Sequence, residues 1–235
     1  MKANYQNPLI VALDVNSPFK ALELVRKLKV TGVAFKVGFE LFMSGGPRLV
    51  EKILAHDVRV FLDLKYHDIP NTVFEASKLA TKLGVWMFNV HASGGVDMMK
   101  KAKEASLATA AQKRIKPPLV IGVTVLTSFS DLKTLGIDKP VSDLVLHLAE
   151  QANEAGLDGV VSSAQESKLI RQKINSSFKI VTPGIRFKED EKSDQKRVMT
   201  PKEAIKNGSD FLVMGRSLLS QKKPIQKIHQ ILSSL

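Results

Sequence analysis

Charged side chains interrupt two of the apolar segments of this sequence. Lys36 stands within the apolar run at residues 33–37, where a charge is costly to bury unless it is paired or faces water. Asp63 and Lys65 lie two residues apart in the next apolar run, and Asp68 follows shortly after. Fixed ammonium and carboxylate groups can stabilise charge that develops during a reaction. The four residues therefore predict an enzyme that works through fixed charges.

Short runs rich in Val, Ile, Leu and Phe recur along the chain and alternate with segments of helical spacing. Their near-continuous apolar character is typical of strands that are covered on both faces of a parallel sheet. The predicted strands span residues 9–15, 33–41, 58–66, 86–92, 119–126, 159–163, 179–185 and 210–216. Closing such a sheet removes its unpaired edges. We therefore expect an α/β protein, a single (β/α)8 TIM barrel over residues 1–235.

An open, doubly wound sheet is the alternative fold, but the Gly-x-Gly-x-x-Gly turn of its nucleotide-binding form does not follow the first strand. Helix starts are marked by Ser17 and Thr200, which each precede a proline. Glu203 completes a capping box with Thr200, and Gly208 offers a left-handed stop.

Composition limits the class of protein. Apolar residues make up 44% of the 235 residues, enough for one large core. The chain has no cysteine and so forms no disulfide or thiolate site, which agrees with a reducing cytoplasm. A polar start and the lack of an apolar run of about 18 residues argue against a secretory leader and a membrane span. We expect a cytoplasmic protein with no membrane partner.

The formal net charge of +12 allows an anionic partner, although a lysine-rich solvated surface is the simpler explanation. The basic segments 100–103 and 222–227 fall in predicted helices and lack interleaved aromatic residues. A nucleic-acid-binding module, with steeply salt-dependent affinity, is the alternative outside enzymes. We expect no nucleic acid partner.

Polar residues at the carboxyl ends of the strands are the candidates for chemistry, because the active site of this barrel lies at that face. Asp14 ends the first predicted strand, His91 the fourth, and Thr124 with Thr127 the fifth. We expect His91 to be a hydrogen-bonded structural histidine, because Lys65 is the better acid.

The loops after strands seven and eight are the usual phosphate site of this fold. Gly184 and Gly215 allow close approach of the backbone, and Arg216 offers a forked cationic contact. Pro183 and Arg186 belong to the same predicted site. Residues 187–195 are long enough for a lid, although a plain surface loop explains them equally well.

Six motifs span the chain, in order Leu13-Asp14, FKVG at 35–38, LDLKYHDIPNT at 62–72, LTS at 126–128, TPGIR at 182–186 and MGR at 214–216. Together they closely resemble the orotidine 5'-monophosphate decarboxylase family. The D-x-K-x-x-D core is shared with other decarboxylases and aldolases of the wider superfamily. The longer D-L-K-x-H-D-I-P-N-T string is more specific to this family.

The resemblance implies conversion of orotidine 5'-monophosphate to uridine 5'-monophosphate and carbon dioxide, in a homodimer without metal or cofactor. It implies that Lys65 protonates C6 of the pyrimidine, that Asp63 lies beside the substrate carboxylate, and that Lys36 and Asp68 complete the charge array. The other implied contacts are Asp14 and Lys36 to ribose, Thr127 to the pyrimidine, Gln195 and Arg216 to phosphate, and Asp68, Ile69 and Thr72 across the dimer interface.

Two other enzyme classes remain open. A Schiff-base aldolase would use Lys36 or Lys65 as an amine nucleophile. Such a reaction needs a lysine with a lowered pKa, whereas neighbouring carboxylates raise the pKa of a lysine. A metal-dependent sugar-phosphate decarboxylase would hold magnesium between Asp63 and Asp68, and Lys65 between them disfavours it.

Overall fold

The computed structural model describes residues 7–187 and 199–235. Within these ranges eight parallel strands pair in chain order, and the first also pairs with the last, so the sheet closes into a barrel. The strands are β1 (Leu9–Ala12), β2 (Ala34–Val37), β3 (Val60–Tyr66), β4 (Met87–His91), β5 (Leu119–Val123), β6 (Gly159–Val161), β7 (Lys179–Thr182) and β8 (Phe211–Met214). The predicted (β/α)8 TIM barrel is confirmed.

Helices follow the strands and cover the outside of the barrel. They are α1 (Pro18–Leu28), α2 (Phe39–Leu54), α3 (Pro70–Leu83), α4 (Val96–Lys113), α5 (Val141–Glu154), α6 (Ala164–Lys173), α7 (Pro201–Lys206), α8 (Arg216–Leu219) and α9 (Pro224–Ser234). The predicted caps at Ser17 and Thr200 are confirmed, and Thr200 forms the capping box with Glu203. Of the helices in the described ranges, none combines the length and the apolar character needed to span a membrane.

Alternation along the strands divides the apolar core into two layers. Leu9 and Val11 of β1 pack in the layer between sheet and helices, whereas Ile10 and Ala12 pack inside the barrel. The interior layer also contains Ala34, Phe61, Met87, Ile121, Val181, Phe211 and Val213. The next inward position on each strand lies nearer the carboxyl end, so this layer forms the floor beneath the polar residues of the barrel mouth.

Most strands end earlier than predicted. β2 ends at Val37, and the predicted strand residues 39–41 begin α2 instead. β5 and β7 also stop short of Val125 and Ile185, which are buried but line the barrel mouth. In β5 and β7, burial in the mouth prolongs the apolar pattern beyond the backbone pairing, which explains the difference there.

The two basic segments contribute to the surface of the barrel. Residues 100–103 lie in α4, as predicted, but residues 222–223 precede α9, because Pro224 takes the first helical position. Lys103 Nζ lies 2.6 Å from Asp158 Oδ2. Part of the basic charge is therefore neutralised within the chain.

Candidate active site

An ion-pair cluster occupies the carboxyl ends of the first three strands. Lys36 Nζ lies 3.2 Å from Asp14 Oδ1 and 3.2 Å from Asp63 Oδ2. Lys65 Nζ lies 2.7 Å from Asp63 Oδ1. Both carboxylate oxygens of Asp63 therefore face an ammonium group, and the two acidic and two basic residues balance in charge.

Pairing outweighs burial in this cluster. Burial by itself raises the pKa of Asp63, but the charges of Lys36 and Lys65, with hydrogen bonds from Lys65 and Asn89, bring that pKa below its ordinary value. Burial by itself lowers the pKa of Lys36, but Asp63 and Asp14 bring it above its ordinary value. Both groups stay charged at neutral pH, so Lys36 is poorly suited to act as an amine nucleophile.

The backbone of β3 is irregular at Lys65. The φ angle of Lys65 is 44°, in the left-handed region that side-chain-bearing residues seldom adopt. The register of β3 against β4 shifts between Leu62 and Tyr66. Asp63 and Lys65 nevertheless both line the barrel mouth, on the shared face that strand alternation predicts.

A cavity of about 330 Å³ opens above the ion-pair cluster, a size suited to a small molecule. Its apolar floor includes Ala12, Phe61, Val181 and Val213, all members of the interior layer. Ten residues predicted from the sequence line it, namely Asp14, Lys36, Asp63, Lys65, Thr127, Pro183, Gly184, Arg186, Gly215 and Arg216. The cavity therefore has an apolar floor and charged walls.

Two arginines follow the last two strands at the barrel mouth. Arg186 follows β7, which lies four strands from β3 in the eight-stranded barrel, and Arg216 follows β8. A Cβ at Gly215 would lie 3.0 Å from Asp14 Oδ2 and 3.3 Å from Ala12 Cβ, so the glycine keeps the backbone close to the cavity. Guanidinium groups in this position can bind an anionic group such as phosphate.

Comparison with known proteins shows which family this chain is similar to. Residues 7–231 match the model of the Orotidine 5'-phosphate decarboxylase / HUMPS family. The chain belongs to this family. Two relatives named orotidine 5'-phosphate decarboxylase are similar over 97% of the chain: one from Legionella pneumophila (strain Corby), 51% identical with 96% of its length covered, and one from Pseudoalteromonas translucida (strain TAC 125), 47% identical with 96% covered.

A solved structure supports the same assignment. The crystal structure of orotidine 5'-phosphate decarboxylase from Lactobacillus acidophilus is 36% identical, with a TM-score of 0.85 over 97% of this chain and 98% of that one. The predicted family and the predicted class of enzyme, a carboxy-lyase, are confirmed.

Three residues predicted for the site of an orotidine 5'-phosphate decarboxylase family member lie on the surface of the single chain. Asp68, Ile69 and Thr72 are exposed and do not line the cavity. Asp68 Oδ1 accepts a hydrogen bond from the Ile69 amide at 2.7 Å, because the chain turns outward here to begin α3 at Pro70. Asp68 therefore does not join Lys36 and the other cluster members within one chain.

The predicted phosphate contact Gln195 lies outside the described residues, as does the predicted lid except for Phe187. The Phe187 ring packs against the Lys227 ammonium group, 4.0 Å from the ring centroid.

Two residues beside the cluster complete the description of the site. The ring of His91 lies 5.2 Å from that of His67, and burial lowers the pKa of His91, as do His67 and Lys65, against the opposing effect of Asp63. Asn89 was not predicted, although it lies two residues beyond the inward-facing Met87 and strand alternation could have indicated it.

Metal chemistry finds little support in the donor groups of the described ranges. No group of three or more His, Asp or Glu side chains converges within those ranges. Both oxygens of Asp63 are engaged by ammonium groups. The arrangement disfavours the metal-dependent alternative.

The Lys36→Met variant tests the electrostatic description. We expect it to be less stable than the wild type at pH 7 by about 1–3 kcal/mol, because Asp63 loses one of its two ammonium partners. The lowered pKa of Asp63 means that its contribution is present above the ordinary value of 3.8 and is lost as pH falls through the folded-state pKa. The difference should therefore shrink at acid pH.

Urea unfolding from pH 7 down to pH 3, at one protein concentration, measures this difference. Lys78→Met is the matched control, because Lys78 pairs with Glu75 on the exposed face of α3 and should contribute less than about 1 kcal/mol. A difference for Lys36→Met that is independent of pH would contradict the description.

Proposed function

We propose that this chain decarboxylates orotidine 5'-monophosphate to uridine 5'-monophosphate in pyrimidine nucleotide synthesis, with Lys65 as the proton donor. The observation that carries the proposal is the Lys65 ammonium group, which is 2.7 Å from Asp63 inside a cavity that also contains two arginines. The names of the relatives at about half identity support the substrate.

In the proposed complex the phosphate binds between Arg186 and Arg216, next to the backbone of Gly215. The predicted contact from Gln195 belongs to this end of the substrate. Asp14 and Lys36 contact the ribose hydroxyls, and Thr127 with Pro183 contacts the pyrimidine. The carboxylate at C6 then lies beside Asp63 and Lys65.

The proposed reaction breaks the bond between C6 and the carboxylate. The electron pair stays on C6, carbon dioxide leaves, and a proton moves from Lys65 Nζ to C6. Lys65 recovers its proton from solvent after product release. Before the reaction the Asp63 carboxylate repels the carboxylate of the substrate. This repulsion disappears when neutral carbon dioxide forms. No metal or cofactor takes part in the proposed reaction.

Fixed charges must supply the stabilisation in this reaction. An ammonium group about 4 Å from a developing negative charge contributes on the order of 4 kcal/mol at an effective dielectric constant of about 20. Enzymatic rate enhancements require roughly 8–23 kcal/mol. Binding of the distant phosphate and ribose must therefore hold the pyrimidine against Lys65, so that phosphate contacts affect turnover as well as affinity.

We also propose that two copies of the chain form a cytoplasmic homodimer in which each supplies residues to the other's site. Exposed apolar side chains near the barrel mouth support this, since Phe39, Met43 and Ile69 are 56%, 82% and 67% exposed. Phe39 lies beside the mouth, with its ring centroid 5.5 Å from Lys65 Nζ. Across such an interface Asp68, Ile69 and Thr72 would contact the partner's substrate.

Purified protein should convert orotidine 5'-monophosphate with and without a chelator, followed by loss of substrate absorbance. Turnover that a chelator abolishes and magnesium restores would support the metal-dependent alternative instead.

Borohydride added with substrate should trap no lysine adduct, and a trapped adduct would support the aldolase alternative.

Lys65→Ala should keep the fold and reduce kcat by at least about 10³-fold, because the proton donor and one fixed charge are both lost. Circular dichroism checks the fold and steady-state kinetics measures kcat. Lys101→Ala, which removes a lysine from the exposed face of α4, is the control and should retain full activity. Comparable activity in both variants would refute the role of Lys65.

Complementation between two inactive variants tests the shared sites. Lys65→Ala and Asp68→Ala chains, co-expressed in equal amounts, should recover about one quarter of wild-type activity, since half of the dimers are mixed and each mixed dimer has one intact site. Lys65→Ala with Asp63→Ala should recover none, because one chain supplies both residues to its own site. No recovery in the first pair would place Asp68 outside the partner's site.

A further inference from the structure

We infer that Asn89 is a positioning residue, which holds the Asp63 carboxylate and the Lys65 backbone in the geometry that the proposed reaction needs. The inference rests on the proposed function of the ion-pair cluster. Asn89 is 1% exposed, lies two residues beyond the inward-facing Met87 on β4, and does not line the cavity. It is therefore placed to act on substrate only through other residues.

The bulge in β3 leaves a backbone group that the sheet does not pair. Between the paired positions Leu62↔Phe88 and Tyr66↔Val90, β3 advances four residues while β4 advances two. The Lys65 amide, inside this stretch, donates to Asn89 Oδ1 at 2.8 Å. The Asn89 side chain thus replaces the backbone carbonyl that a regular ladder would offer, and a buried amide without such a partner is costly.

Lys65 also has the unfavourable φ of 44°. A residue with a side chain remains in this region only when its surroundings fix it there. The hydrogen bond from the Lys65 amide to Asn89 is one such restraint. The direction in which the Lys65 side chain leaves the strand therefore depends on Asn89.

Asn89 also fixes the carboxylate of Asp63. Asp63 Oδ1 accepts from Asn89 Nδ2 at 2.7 Å and from Lys65 Nζ at 2.7 Å, while Oδ2 faces Lys36 Nζ at 3.2 Å. The terminal torsion of an aspartate is broad when nothing restrains it. Three donors on two oxygens select one orientation, with one oxygen directed at Lys65.

Charged and titratable groups surround Asp63 on several elements. Lys36 faces it from β2, Lys65 from β3 and His91 from β4, while Asp14, two residues after the end of β1, acts through Lys36. The hydrogen bond from Asn89 favours the ionised form of Asp63. Its removal should raise the pKa of Asp63, so that the acid limb of the kcat profile moves to higher pH.

Steady-state kinetics with orotidine 5'-monophosphate, across the pH range, tests the inference in Asn89→Ala and Asn89→Asp. The alanine variant removes both hydrogen bonds, whereas the nearly isosteric aspartate keeps the acceptor for Lys65 and places a second carboxylate oxygen against Asp63 in place of the donor. We expect kcat to fall at least about tenfold in both, with KM within about threefold of the wild type, and the acid limb to move to higher pH.

Ser162→Ala is the matched control, because the Ser162 hydroxyl is buried at the end of β6 without a hydrogen-bond partner in the described chain. It should match the wild type in kcat and in pH profile. Asn89 variants that behave like Ser162→Ala, or that change KM alone, would overturn the inference. If Asn89→Ala does not fold, the pH profile of Asn89→Asp decides.

A readout without substrate separates this inference from the proposed function. Carboxyl ¹³C NMR of Asp63 should give a higher pKa in Asn89→Ala and Asn89→Asp than in the wild type. An unchanged pKa overturns the inference even if the wild type is active. A wild type that does not convert orotidine 5'-monophosphate overturns the proposed function, whatever the NMR titration gives.

Discussion

The carboxylate of Asp63, held between the ammonium groups of Lys36 and Lys65, is the interaction on which the rest of the site depends. Each of these charges is costly to remove from water on its own, and together they are tolerated because each has a partner at 3.2 Å or less. Asp14 balances the second ammonium group. The arrangement requires the ends of three strands to be fixed to within fractions of an ångström, which a closed barrel provides and an isolated hairpin would not.

The interior layer makes these charges effective. Phe61 precedes Asp63 by two residues on β3, Ala12 ends β1 two residues before Asp14, and both Phe61 and Ala12 belong to the apolar cluster inside the barrel. Water is thereby excluded from one side of the ion pairs, which lowers the local dielectric constant and strengthens their fields in the cavity. The same alternation that fills the barrel with apolar side chains thus delivers the polar ones to its mouth, two residues further along each strand.

Sequence patterns were sufficient for the barrel and for the three charges on β2 and β3, because apolar periodicity and polar interruptions record burial directly. They were insufficient where backbone geometry departs from the regular ladder. The residue type of Lys65 does not predict its positive φ. The role of Asn89 follows only from the register shift in the neighbouring strand β3. Asp68 belongs to the same motif but not to the same cluster, because a motif fixes order along one chain and cannot say which copy of the chain completes a site.

In the proposed reaction the Asp63 carboxylate determines how the substrate is oriented in the cavity. Orotidine 5'-monophosphate is anionic at both ends, so attraction to positive charge alone would allow either end to bind at either place. Asp63 removes this ambiguity, since a phosphate beside it would meet a carboxylate whose lowered pKa keeps it ionised. The substrate carboxylate at C6 is also repelled by Asp63, but this repulsion ends when the carboxylate leaves as carbon dioxide. A single buried aspartate would thus serve both the selection of one binding orientation and the departure of the leaving group.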